Sequence, residues 1–337
     1  MGLKTAIIGS GGIAYCHADA LRKLGVEIAG VFDIIPESAA KLAAAYGGRA
    51  ISSIDEILDE VDMIHLCTPP SCRLEYAEKA MAAGKHVLSE KPMATSVEDG
   101  EKLVALAKKY GVVLMVGFSH RYRHGFKILR DTYRSGVLGK MSSLFVHRYA
   151  KIGATPGLKT ESWRTNPNLA CGMTVESLSH DIDLILQINP GIATVQANVK
   201  ATIDGLPQFD TNTNAIFTFN DGSLGLIDAS WSSPLNYSSR GVIGDKGSAI
   251  LIGNDIFGFT ELHLRTLDME RTQVTLLNDP FRFVGCYSYY DENSHFIDCV
   301  VNGTPCEVSG EYALRTLKTS HAILEAAGTG SKITVDY

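Results

Sequence analysis

Along the first 120 residues, short runs that are apolar throughout alternate with segments whose apolar positions recur every three to four residues. Thr5 to Gly9, Glu27 to Asp33, Asp62 to Thr68, Lys85 to Ser89 and Val112 to Phe118 have the continuous apolar character of parallel strands covered on both faces. Between them the spacing predicts helices. Pro36 opens one that runs through an Ala-rich stretch to Tyr46 and stops at Gly47-Gly48. Another occupies Leu74 to Ala83 before Gly84, and a third runs from Ser96 to Tyr110 before Gly111. Strand and helix in strict alternation predict an α/β domain built on a doubly wound parallel sheet.

After residue 120 the pattern changes. A helix at Phe126 to Ser135 leads to a strand at Ser142 to Ala150, then to a loop rich in Gly, Pro, Thr and Asn over Gly153 to Leu169, then to one long helix from Met173 to Gln187. Two-residue alternation follows at Thr194 to Ile203, Asn214 to Phe219, Ser223 to Ser230, Arg240 to Ile243, Ser248 to Ile252 and Glu261 to Thr266. Asn220-Asp221-Gly222-Ser223 reads as a hairpin turn. Tyr289 to Ala327 is helical again, broken at Gly303 to Pro305. The second domain is therefore predicted to be α+β, with a large, mostly antiparallel open sheet, and the chain to divide into 1–120 and 121–337. Both alternating faces of the hairpin are apolar: Ala215, Phe217 and Phe219 oppose Ile216, and Leu224 and Leu226 oppose Ile227, Ala229 and Trp231. Helices of the same domain can cover one face; the other predicts a second subunit, hence a homo-oligomer, dimer or tetramer.

Composition narrows the function. The 337 residues allow about two domains at roughly 100 to 200 residues each. A net charge of −6 without a basic run excludes nucleic acid as an expected partner. Seven cysteines without a CxxC pair suit neither a disulfide framework nor a zinc site, so reduced thiols and no metal are expected. With no charged leader before an apolar segment and no apolar run approaching about 18 residues, no membrane contact and a cytoplasmic location are expected.

The turn after the first strand reads Gly9-Ser10-Gly11-Gly12-Ile13-Ala14, a G-x-G-x-x-A between strand and helix. Gly9 permits the tight turn, Gly11 lets the backbone approach a pyrophosphate, Ala14 lets the helix pack on the sheet, and the helix N–H groups of Gly12 and Ile13 face the anion. Asp33 ends the second strand, where a carboxylate binds an adenosine ribose diol. A 2′-phosphate there would be repelled, and Ile34, Ile35 and Pro36 supply no arginine, so NAD is expected over NADP. Thr68-Pro69-Pro70 and Glu90-Lys91-Pro92 end two further strands at the rim where ligands of open parallel sheets collect.

Taken in order, G-S-G-G-I-A, V-F-D, C-T-P-P, S-E-K-P-M-A, G-F, V-L-G-K-M, W-R and G-x-x-x-E-x-x-x-H-D-I-D resemble the glucose-fructose oxidoreductase / inositol 2-dehydrogenase / rhizopine catabolism (Gfo/Idh/MocA) family over nearly the whole chain. The resemblance implies a Rossmann domain and a nicotinamide-dependent enzyme acting on CH-OH groups of sugars, inositols or related polyols, with the open sheet of the second domain used for oligomer contacts. By position, Lys91 matches the family's catalytic lysine and His180 its catalytic histidine. Glu176 stands where Asp is common, and Ser119-His120 where Asn and a basic residue are frequent.

The residues support that chemistry. On one continuous helix, Glu176 and His180 at i, i+4 would share a face, with Asp183 near it. A carboxylate beside an imidazole fixes its tautomer and raises its basicity, so His180 is expected to be the general base in alcohol oxidation and the acid in reduction. Lys91 would favour negative charge developing on the same oxygen. Tyr122, Trp163 and Arg164 are expected near cofactor or substrate, His147, Tyr149 and Lys151 less so, and His17 is expected to be structural. Metal binding by His180, Asp181 and Asp183 is not expected, because successive residues diverge around a helix. Two other readings stay open: an enzyme that retains NAD and oxidises a sugar transiently to eliminate a glycosidic bond, and a non-catalytic NAD-dependent sensor.

Overall fold

The computed structural model describes residues 2–152, 163, 166, 168–203, 209–254, 258–279 and 284–337. The chain packs as two compact units, Met1–Tyr122 with Arg282–Leu317 and Arg123–Phe281 with Lys318–Tyr337.

In chain order the first unit contains β1 (Lys4–Ile8), α1 (Gly12–Lys23), β2 (Glu27–Phe32), α2 (Pro36–Tyr46), β3 (Arg49–Ile51), β4 (Met63–Leu66), α3 (Arg73–Ala82), β5 (His86–Glu90), α4 (Val97–Tyr110) and β6 (Leu114–Gly117). The strands form one parallel sheet in the order β3-β2-β1-β4-β5-β6. This is the doubly wound arrangement the alternation predicts, and its order reverses between β1 and β4, the switch point beyond which ligands of such sheets collect. Local signals set the helix limits. Pro36 starts α2, whose N-terminal N–H groups need no partner in the helix. Ser96 caps α4 by accepting from Asp99 N at 3.1 Å, and Gly111 ends it in the left-handed region at φ 65°. Strand β3 has no counterpart in the sequence reading, because three residues, two of them exposed, carry no period.

The second unit begins with α5 (His124–Arg134) and β7 (Met141–Lys151), followed by α6 (Gly172–Glu176), α7 (Ser179–Ile188), β8 (Ile192–Lys200), β9 (Asn212–Phe219) and β10 (Leu224–Ser230). Then come β11 (Ser232–Gly244), β12 (Gly247–Gly253), β13 (Phe259–Thr266) and β14 (Gln273–Asp279). Helix α8 (Tyr287–Asn302) belongs to the first unit, α9 (Gly310–Thr329) runs from the first unit's segment into the second's, and β15 (Ile333–Thr334) ends the chain. The sheet runs β14-β13-β12-β11-β7-β10-β9-β8-β15, antiparallel except for the β7–β10 pair. Its inner face buries Leu144, Val146, Ala215, Phe217, Phe219, Ile227 and Val242, and α5 packs across β11 to β14. Burying each of these phenylalanines fully contributes roughly 1.5–3 kcal/mol.

Two expectations are corrected. The long helix from Met173 to Gln187 is two helices, because the ladder changes register: Ser177 N and Leu178 N both donate to Met173 O, at 2.8 and 3.0 Å, and Ser179 Oγ donates to Glu176 O at 2.9 Å. Division at residue 120 gives all of 121–337 to one domain, whereas Arg282–Leu317 folds into the first unit. There α8 packs on α1, and Met115 of β6 bridges to Ser309.

Candidate active site

The turn between β1 and α1 is shaped by its glycines. Gly9 has φ +93°, and a Cβ there would stand 2.8 Å from the carbonyl carbon of Cys67, so only glycine lets this turn lie against the end of β4. Beyond Gly11 and Gly12 the space is open: a Cβ on either meets nothing within 4 Å. Ala14 is wholly buried. The first turn of α1, with Ile13 in it, has neither a side-chain cap nor an acidic residue, so its N–H groups and dipole are available to an anion. Asp33 closes the loop. Its Oδ2 accepts from Ser10 N and Ser10 Oγ, both at 2.7 Å, and its Oδ1 from Ile35 N at 2.9 Å. The exposed Ile34 and Ile35 stand beside it.

The ends of β4 and β5 lie along the same sheet edge. Thr68 is buried, and its Oγ1 has no hydrogen-bond partner among the described residues. Pro69 and Pro70 lead from it into a single 3-10 turn. Arg73, buried at the start of α3, donates Nε and Nη2 to Thr68 O at 3.0 and 2.8 Å, and Nη1 to the carbonyls of Glu90 and Pro92. It thereby ties the two strand ends together. Glu90 is buried as well; its Oε1 pairs with His17 Nε2 at 3.0 Å and its Oε2 accepts from Lys91 N at 3.1 Å. Burial alone would raise the Glu90 carboxyl, but the hydrogen bond from His17 and the positive charge of neighbours such as Lys91 and Arg73 outweigh it and hold the group below its ordinary value. Gly117 makes room for that carboxyl, since a Cβ there would lie 3.3 Å from Glu90 Oε1.

In the second unit, Glu176 ends α6 and His180 lies in the first turn of α7, both buried. The break between the helices replaces the continuous i, i+4 face on which their pairing was expected. Asp181, next in sequence, is turned to a structural task. Its Oδ1 accepts from Arg240 Nε and Nη2 at 2.9 and 2.7 Å, and its Oδ2 from Arg148 Nη1 at 3.0 Å. Arg148 also binds Ser177 O and Oγ, each at 2.8 Å, so β7 and β11 hold the junction that carries His180. Asp183 accepts from Gln187 Nε2 at 2.8 Å. Alternation along β7 puts His147 and Tyr149 on the face opposite Arg148, where they pair with Ser239 Oγ at 3.1 Å and Asp228 Oδ2 at 2.5 Å. They stand away from α7, on the open side of the sheet; Lys151, on the same alternation, is exposed.

Tyr122 belongs to the first unit, its Oη enclosed without a hydrogen-bond partner among the described residues and its ring 6.4 Å from that of His295. Burial, with the negative charge of Glu292, pushes its hydroxyl far above the ordinary range. Trp163 is half-buried, and Arg164 lies outside the described residues. Sequence reasoning missed Arg73, Arg148 and Arg240, since an arginine carries no sign of burial, and it missed Asn293 as the hydrogen-bond partner of His17 and His65 as the ring 5.6 Å from it. All seven cysteines are free thiols. Cys299 and Cys306 gather with His295 within 4.8 Å, and burial raises both thiols, Cys306 to about 12.

Residues 3–118 match the NAD-binding Rossmann-fold model of the GFO/IDH/MocA oxidoreductase family, and residues 126–250 match that family's C-terminal domain. Glucose-6-phosphate 3-dehydrogenase of Bacillus subtilis is 34% identical over 166 residues, 49% of this chain and 47% of the relative, so the chain spans about half the length of that protein. Myo-inositol 2-dehydrogenase of Thermotoga maritima is 26% identical over 332 residues, 95% of each chain. A solved levoglucosan dehydrogenase, in complex with NADH and levoglucosan, shares the fold at TM-score 0.88 and 21% identity, covering 100% of both chains.

Proposed function

Because the chain belongs to the Gfo/Idh/MocA family of oxidoreductases, we propose that it transfers hydride between NAD and a hydroxyl or keto carbon of a sugar, sugar derivative or cyclitol. The observation that carries this reading is the fit of the first unit's sheet edge to a dinucleotide. Gly9 allows a turn no other residue could make, open space lies beyond Gly11 and Gly12 at an uncapped helix start, and the buried Thr68 hydroxyl has no partner among the described residues. In this assignment Gly9, Gly11, Gly12 and Ile13 hold the pyrophosphate, Asp33 the adenosine ribose, and Thr68, Pro69, Pro70, Glu90 and Lys91 the remainder. Bound nicotinamide supplies the hydride acceptor and donor.

The substrate chemistry falls to this chain's own side chains. His180 takes the hydroxyl proton during oxidation and returns it during reduction. The Lys91 ammonium favours negative charge on the reacting oxygen. Glu176 orients His180 or binds a hydroxyl, and Tyr122, Trp163 and Arg164 contribute to substrate recognition. Asp33 favours NAD over NADP, since its carboxylate is fixed by three hydrogen bonds and a 2′-phosphate would meet like charge. The apolar outer face of the second unit's sheet suits a homo-oligomer. The experiment is NADH formation from NAD with a panel of hexoses, glycosides, sugar phosphates and inositols. Steady NADH from a polyol is the expected result. Cleavage of a glycoside without net NADH would replace this reading with transient oxidation, and silence across the panel would replace it with a sensor.

A further inference from the structure

Behind the Glu90-Lys91-Pro92 turn, a line of hydrogen bonds runs through the first unit. Thr5 Oγ1 of β1 meets His65 Nδ1 of β4 at 2.8 Å, and His65 Nε2 meets Asn293 Oδ1 of α8 at 2.8 Å. Asn293 Nδ2 meets His17 Nδ1 of α1 at 3.0 Å, and His17 Nε2 meets Glu90 Oε1 at 3.0 Å. Glu90 Oε2 then accepts from the backbone N–H of Lys91 at 3.1 Å. Thr5, His17, His65 and Asn293 have no exposed surface, and Glu90 is 5% exposed, so water cannot rearrange the line.

The proton positions follow from one fixed point. Asn293 Nδ2 also donates to Tyr289 O at 2.8 Å, and a carbonyl only accepts, so the amide nitrogen must face Tyr289. Its second hydrogen goes to His17 Nδ1, which must accept; the His17 proton is then on Nε2 and points at Glu90. Asn293 Oδ1 accepts from His65 Nε2–H, leaving His65 Nδ1 to accept from the Thr5 hydroxyl. Reversing the amide would set oxygen against oxygen at Tyr289 and nitrogen against the His65 donor. Burial agrees, since it lowers His65 to about 3 and keeps that ring neutral. Around Glu90 the other titratable groups are Cys16, Cys67, Arg73, Lys91, Tyr289 and Glu292. Burial keeps both thiols protonated.

We propose that Asn293 and His17 are positioning residues for Lys91: Asn293 fixes the tautomer of His17, whose Nε2–H holds the Glu90 carboxylate, which holds the Lys91 backbone. The functional half of this inference rests on Lys91 acting on the substrate; the hydrogen-bond line itself does not. It also gives Arg282–Leu317 a task in the first unit, since Asn293 comes from that segment.

Proton–nitrogen NMR of the full chain tests it without a substrate. His17 should carry its proton on Nε2; a ring protonated on Nδ1, alone or together with Nε2, would overturn the proposal. In Asn293→Asp and His17→Leu the Lys91 amide resonance should move and its hydrogen exchange quicken by about ten-fold, with the amides of β2 unchanged. His17→Gln, whose amide can donate to the same oxygen, should restore most of that protection. An unchanged Lys91 amide in both disrupting variants refutes the positioning role. If His17→Leu does not fold, the wild-type tautomer and the Lys91 amide in Asn293→Asp decide. Lys91→Ala with undiminished turnover would instead remove the catalytic reading of Lys91 and leave the tautomer result standing.

Discussion

Single side chains in this protein carry consequences out of proportion to their size where burial removes their alternatives. His65 has no exposed surface and is held neutral, its folded value near 3 against about 6.5 when unfolded. The unfolded chain therefore binds the extra proton below about pH 6.5. Its contribution to stability is complete above that pH and is lost as pH falls toward 3, at up to about 1.4 kcal/mol per unit. Thermal denaturation at a series of pH values should show this slope, and His65→Gln should flatten it; an equal slope in the variant would rule His65 out as its source. Gly9→Ala should abolish NAD binding, because the added carbon meets backbone that cannot move aside. Asp33→Ala should narrow the difference in Kd between NAD and NADP. Turnover should fall by roughly 10² to 10⁴ in Lys91→Ala and in His180→Ala, with NAD affinity nearly kept in His180→Ala. The glycine turn and the Asp33 carboxylate that closes it were legible because each has a fixed place in a strand-turn-helix order, while Lys91 and His180 are singled out by a family motif alone. The neighbours of His17 were not legible, since the His65 ring and the Asn293 amide are 48 and 276 residues away from it in the chain, and only folding brings them together.

Among the elements, helices bounded by local signals and the apolar parallel strands were legible, whereas β3, β14 and the first eight residues of β11 were not. Helices α2, α3 and α4 match their predicted limits to within a residue or so, because Pro36, Ser96 and the glycines after them act locally. The break between α6 and α7 has no such marker: no proline or glycine interrupts the stretch, and the cause is tertiary. Asp181 at the start of α7 is gripped by Arg148 from β7 and Arg240 from β11, and all three are buried. Such a network is costly to break, since removing the acid leaves two buried guanidinium groups facing each other. Asp181→Ala should cost about 3–5 kcal/mol in chemical denaturation and disturb the helix that presents His180. A loss under about 1 kcal/mol, the scale of an exposed ion pair, would mean the three groups act as surface charges do.

For the molecule as a whole, the α/β and α+β halves were readable from the switch between continuous and alternating apolar strands, but the return of Arg282–Leu317 to the first unit was not. That return is a matter of which helix packs where, and α8 reads from sequence only as an amphipathic helix. The open sheet bears on assembly. Strand alternation buries Ala215, Phe217 and Phe219 and leaves Ile216 54% and Leu224 51% exposed on the other face, with Leu226 half-buried opposite Ile216. Phe145 lies over Gly241 on that same side, where a side chain would collide with its ring, and Tyr149 stacks on Tyr237 with centroids 6.0 Å apart. Exposed apolar and aromatic side chains of this kind are retained in a monomer at a cost in solubility, and a second copy of the same face removes that cost by symmetry. Static light scattering at micromolar concentration should give a mass of two or four chains. Ile216→Asp together with Leu224→Asp should lower it toward one chain, because each new carboxylate would meet apolar surface or its own symmetry mate. A wild-type mass of a single chain would leave the face as solvent-exposed sheet and remove the oligomer from the proposed function.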